Sequence, residues 1–297
     1  MKMNFKKYLF TSLLLSFVLF TSCGSKPKRT MLINTVSTSA GTMIENAKVS
    51  LSSGDFEKAY YFLDNAWKMA MSVDNNELLL TVCLVRISVS LSQADESIEK
   101  AKEYLSQAKK YAAYTENVDR SMALVALSQV RIALAEKSND FSSFQTILDQ
   151  NKSKVADDLY EKAQFDSLKA DVYKASGNYS EAENYYIAAL DVFTKECYLS
   201  ELGDNYYKLS QVRSLAGKKS GALEALAMAI KYDRDEENSR ALASDYYVKG
   251  ILLMKDNPSS DDKAAAEYAF KHSADIYNAL DLPEMAQKSL DKWESYK

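Results

Sequence analysis

The amino-acid sequence predicts an all-α fold, an α-solenoid of about six helix–turn–helix repeats closed by a C-terminal capping helix. Three observations predict it. The chain has 297 residues but only 8 Gly and 3 Pro, too few turn formers for a many-stranded β fold, while long runs of Ala, Leu, Glu, Lys and Gln favour helix. Apolar residues recur at helical spacing, as in Phe165, Leu168, Val172 and Ala175, which places them on one face of a helix. A small-residue cadence also returns roughly every forty residues, and internal periods of that size mark stacked helical repeats.

Residues 1–22 read as a secretory leader. Met1–Lys7 is basic and Tyr8–Phe20 is apolar, and that apolar run is shorter than the ~20 residues needed to span a bilayer. The leader ends Leu19-Phe20-Thr21-Ser22-Cys23-Gly24. This resembles a bacterial lipobox, which implies that Cys23 becomes the lipidated first residue of the mature protein. Phe20 departs from the Leu usual three places before the cysteine. Gly24, where Asp commonly signals retention at the inner membrane, implies by the same resemblance an outer-membrane lipoprotein facing the periplasm. Residues 23–40, Ser/Thr-rich from Ser25 to Ser39, are expected as a flexible tether to a repeat domain over 41–297.

The repeats follow in order. The first carries Ala47, Gly54, Phe56, Ala59, Leu63 and Ala66. The second, Leu78–Tyr111, keeps Ala101, Leu105 and Ala108. In the third, Met122–Leu148, Phe144 replaces the second-helix alanine. The fourth begins near Asp158; its first helix stops at Ser176-Gly177-Asn178, and its second places Ala182, Tyr186, Ala189, Leu190 and Phe193 on one face. The fifth has Tyr206, Leu209, Gly217, Ala222, Leu226, Ala229 and Ile230. The sixth, Tyr246–Ala274, has Gly250, Ala266, Phe270 and a Pro-containing insertion at Asp256–Asp262. Gly or Asn suits the left-handed position after a helix, and the alanines let neighbouring backbones approach. A last helix opens with Pro283 at its first position, and its Trp293 is expected to cap the stack. In the fourth unit, Ala170, Tyr173, Gly177, Tyr179, Ala182, Tyr186, Ala189 and Leu190 resemble the tetratricopeptide (TPR) repeat in register. The first and fifth units match less fully, with Arg213 where an aromatic is usual, and none has the family's closing proline.

The formal charge of −4, near −7 once Lys2, Lys6 and Lys7 leave with the leader, and the lack of a basic stripe argue against a nucleic-acid partner. Asp233–Glu237 fails as a calcium loop because Asn238 and Ser244 stand where Gly and Glu are required; a solvated turn is expected. Cys83 and Cys197 lie in apolar helical patterns about two repeats apart, beyond the ~7 Å Cα reach of a disulfide, and are expected as free, mostly buried thiols. His272 is the single histidine and reads as a surface bystander. No phosphate loop, HExxH or paired-Cys spacing appears. The sequence therefore predicts no enzyme, cofactor or metal, although a convergent polar cluster buried near Asp171 would speak for chemistry.

Binding is the better expectation. The TPR resemblance implies that first helices line a concave face, and its consensus positions fall on Asp171 and Lys174, on Tyr207, Gln211 and Ser214, and on Tyr247, Ile251 and Met254. In the doublets Tyr206-Tyr207 and Tyr246-Tyr247, one ring is expected inside and the other in the groove. The expected function is a lipid-anchored cell-envelope scaffold or adaptor that binds an envelope protein or peptide segment, in the manner of TPR lipoproteins of outer-membrane protein assembly. Alternatives are a periplasmic small-ligand receptor associated with a transporter and a regulator of peptidoglycan synthesis.

Overall fold

A computed structural model describes residues 35–93, 97–155 and 158–297; the leader and Cys23 lie outside the described residues. Val36–Lys297 forms one compact unit. The described residues hold thirteen α-helices and no strand: α1 (Thr35–Ser53), α2 (Phe56–Ser72), α3 (Asn76–Leu91), α4 (Ile98–Ala112), α5 (Val118–Ala135), α6 (Phe141–Lys152), α7 (Leu159–Ala175), α8 (Tyr179–Lys195), α9 (Leu199–Leu215), α10 (Lys219–Asp235), α11 (Ser239–Leu253), α12 (Ser260–Ala279) and α13 (Pro283–Glu294). They form six antiparallel pairs with α13 closing the series. From α2 onward each helix packs on the next, and α3, α5 and α7, all first helices, also touch in sequence. No described helix is long and apolar enough to cross a membrane.

The cadence is the packing seam. Ala59, Ala101, Ala182, Ala222 and Ala266 are completely buried, because a methyl group lets the facing helix come close. Phe144 fills the third seam with Leu148, Val155 and Phe165. In the sixth pair the approach is closer still: a Cβ on Gly250 would lie 2.6 Å from the ring of Phe270. Trp293 caps the stack, buried against that ring with 6.3 Å between centroids.

Local chemistry sets the helix ends. Asp55, Asn75, Asn117, Asp140, Asp158, Asn178, Asn238 and Ser259 each accept a hydrogen bond from the backbone N–H three residues on, satisfying a donor that the helix leaves free. Left-handed residues close the helices in step: Lys137, Gly177, Gly217 and Asn257 after α5, α7, α9 and α11, and Cys197 and Glu237 after α8 and α10.

Several expectations need correction. Helix α1 begins at Thr35, inside the stretch expected as a tether, since Ala40 and Ile44 are buried one turn apart. Cys197 is exposed, because α8 has ended and this residue turns the chain. Asp233, Arg234 and Asp235 form the last turn of α10, not a solvated loop, and Asp233 is buried. The insertion in the sixth pair is shorter than expected: Ser259 caps α12 in a capping box with Asp262. His272 is half-buried, edge-on to Tyr246 and stacked on Tyr268.

Candidate functional site

From α3 to α11 the chain keeps a forty-residue step, which stacks equivalent side chains into columns on the first helices. One column is Leu84, Leu124, Gln164, Asp204 and Ser244; another is Ser88, Ser128, Leu168, Lys208 and Val248. Both line a run of four cavities of about 500, 480, 240 and 210 Å³. Each cavity shares walls with the next: Ser88, Arg131 and Gln164, then Ser200 and Asp204, then Tyr207 and Ser244. The result is one track from α1 to α13. Its chemistry changes along the way, from Leu51, Leu80, Leu84, Leu124 and Leu127 to Arg131, then to Glu201, Asp204, Asp233 and Asp245, and finally to Tyr207, Tyr247 and Tyr277.

A polar cluster does converge at Asp171. Its carboxylate accepts from the hydroxyl of buried Tyr186, lies 3.2 Å from Lys208 Nζ and is 3.6 Å from Lys174 Nζ. Lys208 also pairs with Asp204 at 2.8 Å. Burial pushes Asp171 up, but Lys208, Lys174 and the Tyr186 hydroxyl outweigh it and hold the carboxyl below its usual range. Burial also raises Tyr186, reinforced by the charge of Asp171. For Lys208 burial acts downward, yet Asp171 and Asp204 hold the ammonium above its usual value. All three groups therefore shift away from neutrality, whereas proton transfer needs values near the working pH. The cluster is a set of satisfied ion pairs that fixes α7, α8 and α9 to one another.

Beside it, Tyr160 donates to Glu201 at 2.6 Å and accepts from Gln164 at 2.7 Å. Further along, Asp233 on α10 and Asp245 on α11 line one cavity, and their carboxyls act on each other. Burial, then the neighbouring Asp233, pushes Asp245 up to about 9; burial pushes Asp233 up to about 6. The pair thus keeps a proton at neutral pH.

Of the residues the sequence singles out, Asp171, Tyr207 and Tyr247 line the track. Lys174 and Gln211 bond to each other at 3.2 Å across two repeats, and the Ser214 carbonyl accepts from Lys255 at 2.6 Å. Ile251 and Met254 pack with Leu253, Phe270 and Trp293. Lys174, Gln211 and Ser214 thus join neighbouring repeats, and Ile251 and Met254 hold the sixth pair to the capping helix. The doublets divide as expected: Tyr206 packs inside, stacked on Tyr232, while Tyr207 faces two cavities, and Tyr246 is buried while Tyr247 reaches a cavity, edge-on to Phe270. Arg131 is the residue the sequence reading missed. It stands one step before Asp171 in the column Leu91, Arg131, Asp171, Gln211 and Ile251, so counting back from the fourth unit finds it.

No protein-family model matches the chain, and no curated protein matches it in sequence. Solved structures do match it as folds. Aspartyl phosphate phosphatase F from Bacillus subtilis aligns over 100% of this chain and 85% of its own, with a TM-score of 0.54 and 13% identity. A Rap protein complexed with Competence and Sporulation Factor aligns over 100% and 87%, with a TM-score of 0.54 and 18% identity. A STAND protein with a tetratricopeptide repeat sensor from Pyrococcus horikoshii aligns over 86% of this chain and 42% of its own, with a TM-score of 0.53 and 15% identity. At such identities the likeness is one of architecture, and that architecture is the TPR-like helical-repeat solenoid.

Proposed function

We propose that this protein is a non-enzymatic scaffold that holds an extended segment of a partner protein or peptide along its inner track, at the bacterial cell envelope and anchored through Cys23. The observation that carries the reading is the unbroken run of cavities on the first helices, with shared walls and a chemistry that changes from leucines to charges to tyrosines. A binding face of that length suits a ligand that extends, with side chains read at successive positions. A compact small molecule would call for one enclosed pocket. The structurally similar Rap protein complexed with Competence and Sporulation Factor gives a precedent for ligand binding by this architecture. The leader and its lipobox-like end support the envelope location and the anchor.

The test is site-specific photo-crosslinking in living cells. A crosslinking amino acid at Gln164 or Asp204, on the track, should capture a defined envelope protein. The same group at Tyr61 or Tyr268, 65% and 60% exposed elsewhere, should not. Capture of the same proteins from all four positions, or of none, overturns the reading. In parallel, Cys23→Ala should release the protein from the membrane fraction if the anchor is as proposed.

A further inference from the structure

Arg131 is a cation on the track without an ion pair. It stands on α5 in the wall shared by the two larger cavities of the track, half-buried, and makes no ion pair or hydrogen bond with any described residue. The acids around it are already engaged: Asp171 by Tyr186, Lys174 and Lys208, Asp204 by Lys208, and Glu201 by the Tyr160 hydroxyl. Burial draws the guanidinium below its ordinary value, with partial compensation from the charge of Asp171. A cation drawn partly out of water without an ion pair costs stability, and a position that carries such a cost in the free protein is one that a ligand can relieve.

We infer that Arg131 receives the carboxylate of an internal Asp or Glu in the bound segment, an inference that rests on the proposed binding of a segment along the track. Guanidinium and carboxylate match as two parallel hydrogen bonds. The acid is internal to the segment because the track continues on both sides of Arg131, with about 500 Å³ toward α1 and about 480 Å³ toward α9. On the α1 side the walls carry Leu80, Leu84, Leu124 and Leu127. The segment therefore presents an acidic residue followed on one side by apolar residues.

Random twelve-residue peptides, displayed and selected on the full-length protein, test this. Selected sequences should be enriched in an internal Asp or Glu with apolar residues to one side. A synthetic peptide from that pool should lose at least tenfold in affinity when its acid becomes the amide, and at least tenfold against Arg131→Gln. The two changes together should cost no more than either alone. Arg131→Gln should melt no lower than the parent protein, so lost binding is not lost folding. Ser88→Trp, which fills the shared wall, separates the two levels of the argument. Peptides that lose binding to Ser88→Trp but not to Arg131→Gln overturn the Arg131 assignment alone. Peptides indifferent to both, or no selected peptides, overturn binding along the track as well. Binding lost on amidating only the peptide C-terminus would show a terminal carboxylate in place of an internal acid and would also overturn the inference.

Discussion

The guanidinium of Arg240, at the start of α11, lies 5.5 Å from the centroid of the Phe56 ring, at the start of α2. The two residues belong to the last and first helix pairs. In a stack of repeats each unit ordinarily contacts only its neighbours, so this is a long-range tie between distant parts of the array. Gly54 makes it possible in two ways. Its φ of +80° closes α1, and a Cβ there would stand 2.0 Å from Arg240 Nη1.

Arg240→Ala should therefore loosen both ends together. A cation–π contact of this kind contributes about 0.5–1 kcal/mol, so the melting temperature should fall only slightly. Amide hydrogen exchange carries the sharper signal. Protection should drop at the α1–α2 turn and at the start of α11, while α5 and α6 stay unchanged. Gly54→Ala should reproduce the pattern more strongly, with roughly 1 kcal/mol or more added by the left-handed strain. Exchange that rises at one end alone would show that the contact does not join the two.

How much of this was legible follows from which features the forty-residue step controls. Ala59, Ala101, Ala182, Ala222 and Ala266 are buried by a rule that acts inside each repeat and its neighbour, so the sequence displays it openly. Arg131 obeys the same step and was hidden only because Phe144 breaks the seam of its unit while the first helix keeps register. Asp233 could not be read locally. A run of acids looks solvated, and this carboxylate turns inward because α9 offers Gly203, where a Cβ would come 2.5 Å from its Oδ1. The tie between Arg240 and Phe56 depends on rotation accumulated over five intervening connections, and no local pattern encodes that sum.

The Asp233–Asp245 pair makes stability depend on pH. Asp245 has an ordinary value of 3.8 and is held up to about 9 in the fold. Between those values the native protein keeps a proton that the unfolded chain releases, so this contribution weakens as pH rises from about 4 towards 9. Asp171 acts in the opposite sense: its carboxyl is held below its usual range, and the stability it supplies is lost as pH falls through acid values. Asp245→Asn imitates the protonated acid and should remove the alkaline loss. Chemical denaturation at pH 5 and pH 9 should show a gain of roughly 1 kcal/mol or more at the higher pH, since a tenfold change in proton affinity corresponds to about 1.4 kcal/mol. The gain should shrink at the lower pH. An equal effect at both would mean that Asp245 is ionised in the native protein.

Cys197 and Cys83 should behave as opposites. Cys197 is exposed at a φ of +59° in the turn after α8, whereas Cys83 is completely buried in α3 and burial pushes its thiol up to about 11. Alkylation of the native protein followed by mass mapping should therefore label Cys197 quickly and leave Cys83 untouched until denaturant is added. Cys197→Gly relieves a left-handed conformation that costs a residue with a Cβ about 1–2 kcal/mol, and it copies the solution already present at Gly177 and Gly217. Against that gain, glycine gives the unfolded chain more freedom to lose, so the net rise in stability should be about 0.5–1 kcal/mol, or up to about 4 °C in melting temperature for a domain of this size. A lower melting point for Cys197→Gly would mean that the thiol makes a contact worth more than the strain, and slow labelling of the native thiol would locate that contact.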